Sequence, residues 1–481
     1  MKKNYSEVEN DECMAGKRPR HDMTKTLIFF PREKPLLNFQ RYLNLDELVR
    51  KRNILVLCNS RISAESKRNY MSSYSSNWTN QEETLLFDIL YLLSSIRPAN
   101  KALRHFTRVR LVGPEVTSLR NLKELVVHFL AKVWELSILP LLIPFRKDPQ
   151  KSLKVMRSKG LIGSGDTEAL MRFLRINKIN KVIIATTLKD SQTYDMLEAT
   201  SIAGIPVSIM IDSWDNIGCA AVLPKVSGNI YLWSQQQIEE ICLYYPDQLE
   251  KCIILGSPRS YFAKSIREER ERNSLIVSKK KSKNILHILY IQAYFYDDTI
   301  STLVNLGRIM QEVSKHFDTE IDVCIRRYPL IAPSHTFDSE LEVFLQTLNL
   351  QDARVCFRIS SNSELKDDLI SANKVVSEIS TGGLESLLAD IPTTFVFSKH
   401  RIRYINGDKI LDFKFAADLF EVATVVEGKN FESLRTIMWN FVSEHFTMKA
   451  RLREKENQLT RRPKEYLASE FKPDLFESIF E

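Results

Sequence analysis

NILHILYIQAYFYDDTISTLVNLGRIMQEVSKHFDTEIDVCIR, Asn284–Arg326, reads as strand, helix, strand. Asn284–Ile291 is a short and almost continuous apolar run, as expected of a strand buried on both faces. Ile300, Leu303, Leu306, Met310 and Val313 then share one face of a 3.6-residue period, and Ile321–Arg326 returns to strand character. Such a unit belongs to a parallel sheet covered by helices. Downstream it continues through ARVCFRI at 353–359, a helix over Leu365–Ile370, a short strand through Val375 and Val376, a helix over Gly382–Leu388, and TTFVFS at 393–398. Upstream, NILVLC at 53–58, KVIIAT at 181–186, VSIMI at 207–211, NIYLW at 229–233 and CIIL at 252–255 show the same alternation in the first half.

A chain of 481 residues, 44% of them hydrophobic, exceeds what one core usually organises, so two domains are expected. The fold class that follows is α/β, with two doubly wound, Rossmann-like domains facing across a cleft. The boundaries read as a loose N-terminal arm at 1–26, a first domain at 27–260, a charged linker at 261–283, a second domain at 284–430 and C-terminal helices at 431–481. The amphipathic stretch from Phe431 to about Lys455, with Leu434, Met438, Phe441 and Phe446, is expected to cross back to the first domain. Open α/β sheets hold ligands outside the carboxyl ends of their strands, which places the site in the cleft.

Composition excludes several classes. Cys13, Cys58, Cys219, Cys242, Cys252, Cys324 and Cys356 form no CxxC pair, the usage of a reducing compartment. The first 25 residues mix charges of both signs without an apolar core, so no secretory signal is read and a cytoplasmic location is expected. Leu125–Phe145 is long enough to attract a membrane reading, but His128, Lys132 and Glu135 interrupt it and Pro140 breaks it. It reads either as buried helices or as a surface that makes peripheral contact with the inner face of a membrane. A net charge of +8 comes without any nucleic-acid motif, so no nucleic-acid partner is expected. The run KKKSK at Lys279–Lys283 reads as linker. No DxD, HxxxH or HExxH spacing occurs, and no metal or other cofactor is expected. His287 reads as a core residue of a buried strand, and Asp297 and Asp298 as the start of a helix.

The stretch STGGLESLLADIPTTFVF, Ser380–Phe397, is a strand end, a turn, a helix and a strand. Backbone N–H groups and hydroxyls converge where that helix begins, and its dipole favours phosphate oxygens. Glu385, one turn in, is placed to accept hydrogen bonds from a ribose diol. The plain alternative is a tight turn with a capped helix.

This segment is similar to the donor-binding turn of GT-B glycosyltransferases, with Ser380, Thr381, Glu385 and Pro392 at the matching positions. IDSWDNIG, Ile211–Gly218, resembles the SWDN signature of bacterial surface-carbohydrate biosynthesis proteins, although CAAVLP follows it here in place of that group's usual sequence. Ile230–Phe262 resembles the passage that ends the N-terminal domain in those proteins and in CDP-glycerol glycerophosphotransferases, and Gly256, Ser257 and Pro258 form its exit. VCIRRYPLIAP, Val323–Pro333, looks like the R-x-HP turn that contacts nucleotide phosphates in CDP- and CMP-donor members, with Tyr328 in place of the histidine. Tyrosine donates a hydrogen bond and stacks, but offers no imidazolium near neutral pH.

What the resemblance implies is metal-independent transfer of a sugar, or a glycerol-phosphate-like group, from a nucleotide sugar or a CDP/CMP-type donor to a polysaccharide or lipid-linked acceptor. In that scheme Ser380, Thr381, Gly382, Arg326, Tyr328 and Ser257 face the donor phosphates and Glu385 the ribose. Asp215 or Asp212 removes the acceptor proton, with Trp214 and Asn216 on the acceptor side. Two alternatives stand beside it: a degenerate module that binds or scaffolds, carried by Tyr328 and the altered SWDN context, and a UDP-sugar 2-epimerase-like enzyme.

Overall fold

The computed structural model describes residues 25–95, 149–163, 165–188, 190–219, 222–277, 285–292, 296–327, 335–349, 352–397, 414–446 and 463–480. The segment 125–145, the basic run 279–283 and Tyr328 lie outside these. Thr26–Phe30 (β1), TLIFF, is buried at every position. It is followed by β2 Ile54–Asn59, β3 Met71–Tyr74, β4 Lys181–Thr186, β5 Val207–Ile211, β6 Ile230–Leu232 and β7 Cys252–Ile254. These seven form one sheet in the order β3-β2-β1-β4-β5-β6-β7, with every neighbouring pair parallel. A second sheet holds β8 Ile285–Ile291, β9 Glu320–Arg326, β10 Val355–Ile359, β11 Lys374–Glu378, β12 Thr393–Phe397 and β13 Thr424–Glu427 in the order β10-β9-β8-β11-β12-β13, again all parallel.

Each sheet therefore winds outward in both directions from its own first strand, which is the doubly wound α/β arrangement twice over. The order reverses between β1 and β4 in one sheet and between β8 and β11 in the other, and such reversal points leave the crevices that hold ligands. The strands expected from apolar runs are all present. The three not foreseen are β1, a five-residue run ended by Pro31, and β3 and β13, short sheet-edge strands whose half-exposed residues carry little of the apolar signal.

Residues 261–283 were expected to form a charged linker, yet Pro258–Val277 is a twenty-residue helix. Lys264, Glu268, Glu271 and Arg272 sit on its exposed face. Its apolar positions Ala263 and Ile266 enter a core shared by both domains, with Trp214 and Trp233 from the first and Leu289, Ile291 and Leu384 from the second. Arg270 on this helix donates to the carbonyls of Leu369, Ile370 and Ala372 at 2.8, 3.1 and 2.6 Å, which joins it to the end of the helix Leu365–Ser371.

The long helix Phe431–Phe446 stays with the second domain, where Leu434, Met438 and Val442 pack on Leu303, Leu306 and Met310. The chain does cross back to the first sheet, but by the terminal segment 463–480. There Ser257 and Glu470 make a parallel bridge. Phe471, Phe476, Ile479 and Phe480 join Phe30, Phe39 and Val56 in the first domain's core. Four large apolar groups in ten residues bury more surface there than an exposed tail can leave in water. Among the described residues no helix is long and apolar enough to cross a membrane.

Candidate functional site in the interdomain crevice

Asp212 follows β5, Ser257 follows β7, and Ser380 follows β11, so all three stand at carboxyl ends of strands. The helix Glu33–Tyr42 after β1 buries Phe39 and Tyr42 and turns Asn38 and Tyr42, four residues apart and hence on one face, toward the same place. Its Asn38 Nδ2 donates to Asp212 Oδ1 at 2.7 Å, and its Oδ1 accepts from Arg259 Nη2 at 3.3 Å. Arg259 Nη1 reaches across to Glu385 Oε1 in an ion pair and approaches Tyr42 Oη at 3.2 Å. Tyr42 Oη in turn donates to Glu385 Oε1 at 3.2 Å, and the guanidinium lies 5.3 Å from the centre of the Tyr42 ring. Asp212, Asn38, Arg259, Tyr42 and Glu385 are thus one polar chain that runs from the first domain into the second.

The chain is shielded from water: Arg259 is 8% exposed and Glu385 2%. Buried charges persist only when paired. Beside the chain, Phe39, Met210, Tyr231, Trp233 and Gly256 close a cavity of about 20 Å³, enough for a water molecule and far below what a nucleotide fills. Burial pushes the Asp212 carboxyl above its ordinary range, opposed by Lys34, by the bond from Asn38 and by Arg259. Asp212 Oδ2 is buried with no partner among the described residues, and Asp212 is one of the residues around the cavity. A carboxyl held above its usual range in a cleft is what general-base chemistry needs.

The other candidate residues fall as follows. Ser380 caps the helix Thr381–Leu388, its Oγ accepting from Gly383 N at 3.2 Å and lying 3.1 Å from Ser377 Oγ. Thr381 and Gly382 form the half-buried first turn. Gly383 is a packing residue, because a Cβ there would lie 2.5 Å from both Phe395 Cε1 and Ser377 Oγ. Ser257 is fully buried, and its Oγ accepts from Arg259 N at 3.2 Å. Trp214 is 3% exposed within the shared core, so it welds the domains rather than facing solvent. Asn216 Nδ2 donates to the Thr187 carbonyl at 2.7 Å. Asp215, half-buried, accepts from Ser213 Oγ at 2.6 Å.

Arg326 ends β9 and is committed locally. It donates to Asp368 Oδ2 at 3.1 Å and to the carbonyls of Asn362 and Ser363, the latter at 2.7 Å, which ties down the loop after β10. That loop also carries Glu364, whose carboxylate meets Arg41 at 3.0 Å as a second bridge between the domains. The structure thus brings Asp212, Ser257 and Glu385 into one network and places Arg326 in another. His287 is not a core residue: its side chain is 42% exposed, with Nδ1 3.1 Å from Asp322 Oδ2.

Sequence reasoning missed Asn38, Tyr42 and Arg259. A local signal existed for two of them. Asn38 interrupts the apolar face of EKPLLNFQRY, and Arg259 directly follows the Gly-Ser-Pro exit.

No protein-family model matches the chain, and no curated protein matches it. Solved structures similar to it include a putative UDP-N-acetylglucosamine 2-epimerase from Listeria monocytogenes at 10% identity and a TM-score of 0.48, covering 95% of this chain and 94% of that one. MurG of Acinetobacter baumannii is 11% identical with a TM-score of 0.46, covering 95% and 99%. The α,α-trehalose 6-phosphate synthase of Burkholderia multivorans is 9% identical with a TM-score of 0.45, covering 95% and 96%. The doubly wound two-sheet architecture stands on the strand orders and parallel registers given above.

Proposed function

We propose that this protein is a glycosyltransferase-type enzyme that uses a nucleotide-activated donor and does so without a metal ion. The observation that carries the reading is the meeting, through Asn38 and Arg259, of a raised carboxyl at the end of β5 and the capped helix start after β11. The helix start Ser380–Thr381–Gly382 offers N–H groups and hydroxyls to the donor phosphates, and Glu385 offers a carboxylate to the ribose. Asp212 takes the proton of the acceptor hydroxyl as the bond from sugar to phosphate breaks, and the departing nucleotide keeps that bond's electron pair. Polar donors fixed around the leaving phosphate supply most of the stabilisation such a step needs. Tyr328, Thr381 and Ser257 complete the donor side and Asp215 and Asn216 the acceptor side in this scheme, while Trp214 acts only as packing beneath them. The acceptor is a polysaccharide or lipid-linked hydroxyl.

A second reading, a degenerate module that binds without turnover, is favoured by one specific feature. Glu385 and Arg326 already hold internal partners, Arg259 and Asp368. The two readings part on ligand binding. Thermal unfolding with CMP, CDP, UDP and GDP, each with and without EDTA, should show stabilisation by one base that EDTA leaves unchanged. A ligand at a hundred times its Kd adds about 2.7 kcal/mol. Silence with all four sinks the transferase reading, and binding without product release from the matching donor sugar supports the degenerate one.

A further inference from the structure

We infer that Arg259 is a donor-binding residue and that its ion pair with Glu385 is a latch opened by one class of ligand, a nucleoside diphosphate with an intact ribose diol. This rests on the transferase reading of the Ser380–Glu385 turn. Arg259 and Glu385 come from different domains, Arg259 on the connecting helix Pro258–Val277 and Glu385 on the helix after β11. Both are nearly sealed from water, so neither charge tolerates the loss of its partner alone. The adjoining cavity, about 20 Å³, holds no more than a water molecule. Glu385 is sealed and held by Arg259 and Tyr42, so a ribose reaches it only if the two charged side chains part, and whatever parts them must satisfy both.

That requirement selects the ligand. A nucleoside brings hydroxyl donors to Glu385 but leaves the guanidinium bare. Pyrophosphate brings oxygens to Arg259 but leaves the carboxylate bare. A nucleoside diphosphate does both in one molecule, with the diol toward Glu385 and the phosphates toward both Arg259 and the helix start four residues before Glu385. Guanidinium binds phosphate through paired N–H groups. Arg259 has such capacity to redirect, since Nη1 is shared between Glu385 and Tyr42, and Nε has no partner among the described residues. Tyr42 and Asn38 remain on the first domain to hold the freed guanidinium through ring contact and hydrogen bond.

The test measures, by calorimetry on the full chain, the Kd of the nucleoside diphosphate with the preferred base. The matching nucleoside, the 2′,3′-dideoxy diphosphate and inorganic pyrophosphate are run beside it. In the wild type the intact diphosphate should bind at least about tenfold more tightly than each of the other three, the value of one charge-assisted hydrogen bond. Glu385→Gln should bring the dideoxy ligand to within about twofold of the intact one, and Arg259→Met should do the same for nucleoside against diphosphate. Should Arg259→Met fail to fold, Arg259→Lys, which keeps the charge without the paired N–H groups, should still shrink the gap between nucleoside and diphosphate. If the diphosphate binds the wild type and these gaps survive in the variants, the latch is overturned while the transferase reading stands. If no nucleotide binds either the wild type or the double variant Arg259→Met/Glu385→Gln, both fall.

Discussion

Replacing Gly256 by alanine is expected to unfasten the C-terminal crossing. Gly256 has φ +91°, and a Cβ built on it would lie 2.1 Å from the Glu470 carbonyl oxygen, 2.6 Å from its carbonyl carbon and 2.7 Å from Phe471 Cα. All three obstacles are backbone, so no side-chain rotation relieves them, and the tail must move. The tail is held there by Ser257 N to Ser469 O at 2.9 Å, Ser469 N to Trp233 O at 3.0 Å, Lys472 N to Leu255 O at 3.0 Å and Phe471 N to Ser260 Oγ at 2.9 Å. Each such bond contributes about 0.5–1.5 kcal/mol, and a side chain at positive φ costs about 1–2 kcal/mol more. A tail that shifts without detaching therefore costs about 3–5 kcal/mol, which lowers the melting temperature of a cooperatively unfolding chain of 481 residues by about 3–5 °C. Calorimetry measures this, and chymotrypsin, which cuts at the freed Phe471, Phe476 and Phe480, reports where the loosening lies. Gly160→Ala is the control, since φ is +67° there but nothing stands within 4 Å of the added carbon, so only the conformational part remains. Equal melting temperatures and equal protease resistance for Gly256→Ala and wild type would refute the reasoning.

Four further outcomes follow from the packing and the charges. Trp214→Ala should cost about 3–5 kcal/mol and separate the unfolding of the two domains in a calorimetric trace, because the ring belongs to their common core. Arg326→Ala should destabilise by about 1.5–3 kcal/mol by taking a cationic partner from buried Asp368, which keeps its bonds from Ser360 and Asn362, with the added Ala of Asp368→Ala/Arg326→Ala recovering part of it in a denaturant series. Asp212 is held above its ordinary 3.8, so its protonated form favours the native state. Its contribution to stability is present below the unfolded value and is lost as pH rises through the raised one; Asp212→Asn should flatten that fall in urea midpoints taken from about pH 4 to 7. Alkylation at pH 8 followed by mass spectrometry should modify exposed Cys242 and Cys356 well before Cys252, whose thiol burial pushes up to about 11.

Much of the architecture was legible because parallel strands are buried on both faces and announce themselves as apolar runs: KVIIAT, VSIMI and NILHILYI need no long-range information. TLIFF carries the same signal but starts directly at the end of a charged, polar arm and stops at Pro31, so no turn residues set it off from that arm. The helix Pro258–Val277 was hidden for a different reason. Its dense mixed charges read as a linker, and its inward positions are justified only by partners such as Trp214, Trp233 and Leu384, which no local window contains. The site divides in the same way. The turn Ser380–Glu385 and the carboxylates Asp212 and Asp215 are marked by residue type next to strand ends. Asn38, Tyr42 and Arg259 acquire meaning only where 217 to 221 positions of chain separation are closed by folding.

The choice of asparagine at position 38 shows how the two halves of the crevice are made compatible. Asp212 and Arg259 have opposite charges and both are buried, and direct contact would consume each with the other. An amide between them donates from nitrogen to the carboxylate and accepts at oxygen from the guanidinium, so one neutral side chain satisfies both and fixes its own orientation. A leucine there would leave both buried groups short of a partner, and an aspartate would add a second negative charge beside Asp212. Arg259 is thereby left to face Glu385, and Asp212 keeps one oxygen uncommitted to any described residue. Asp212 and Glu385 are accordingly held apart yet joined through one polar path, Asn38 and Arg259, in which each bond polarises the next.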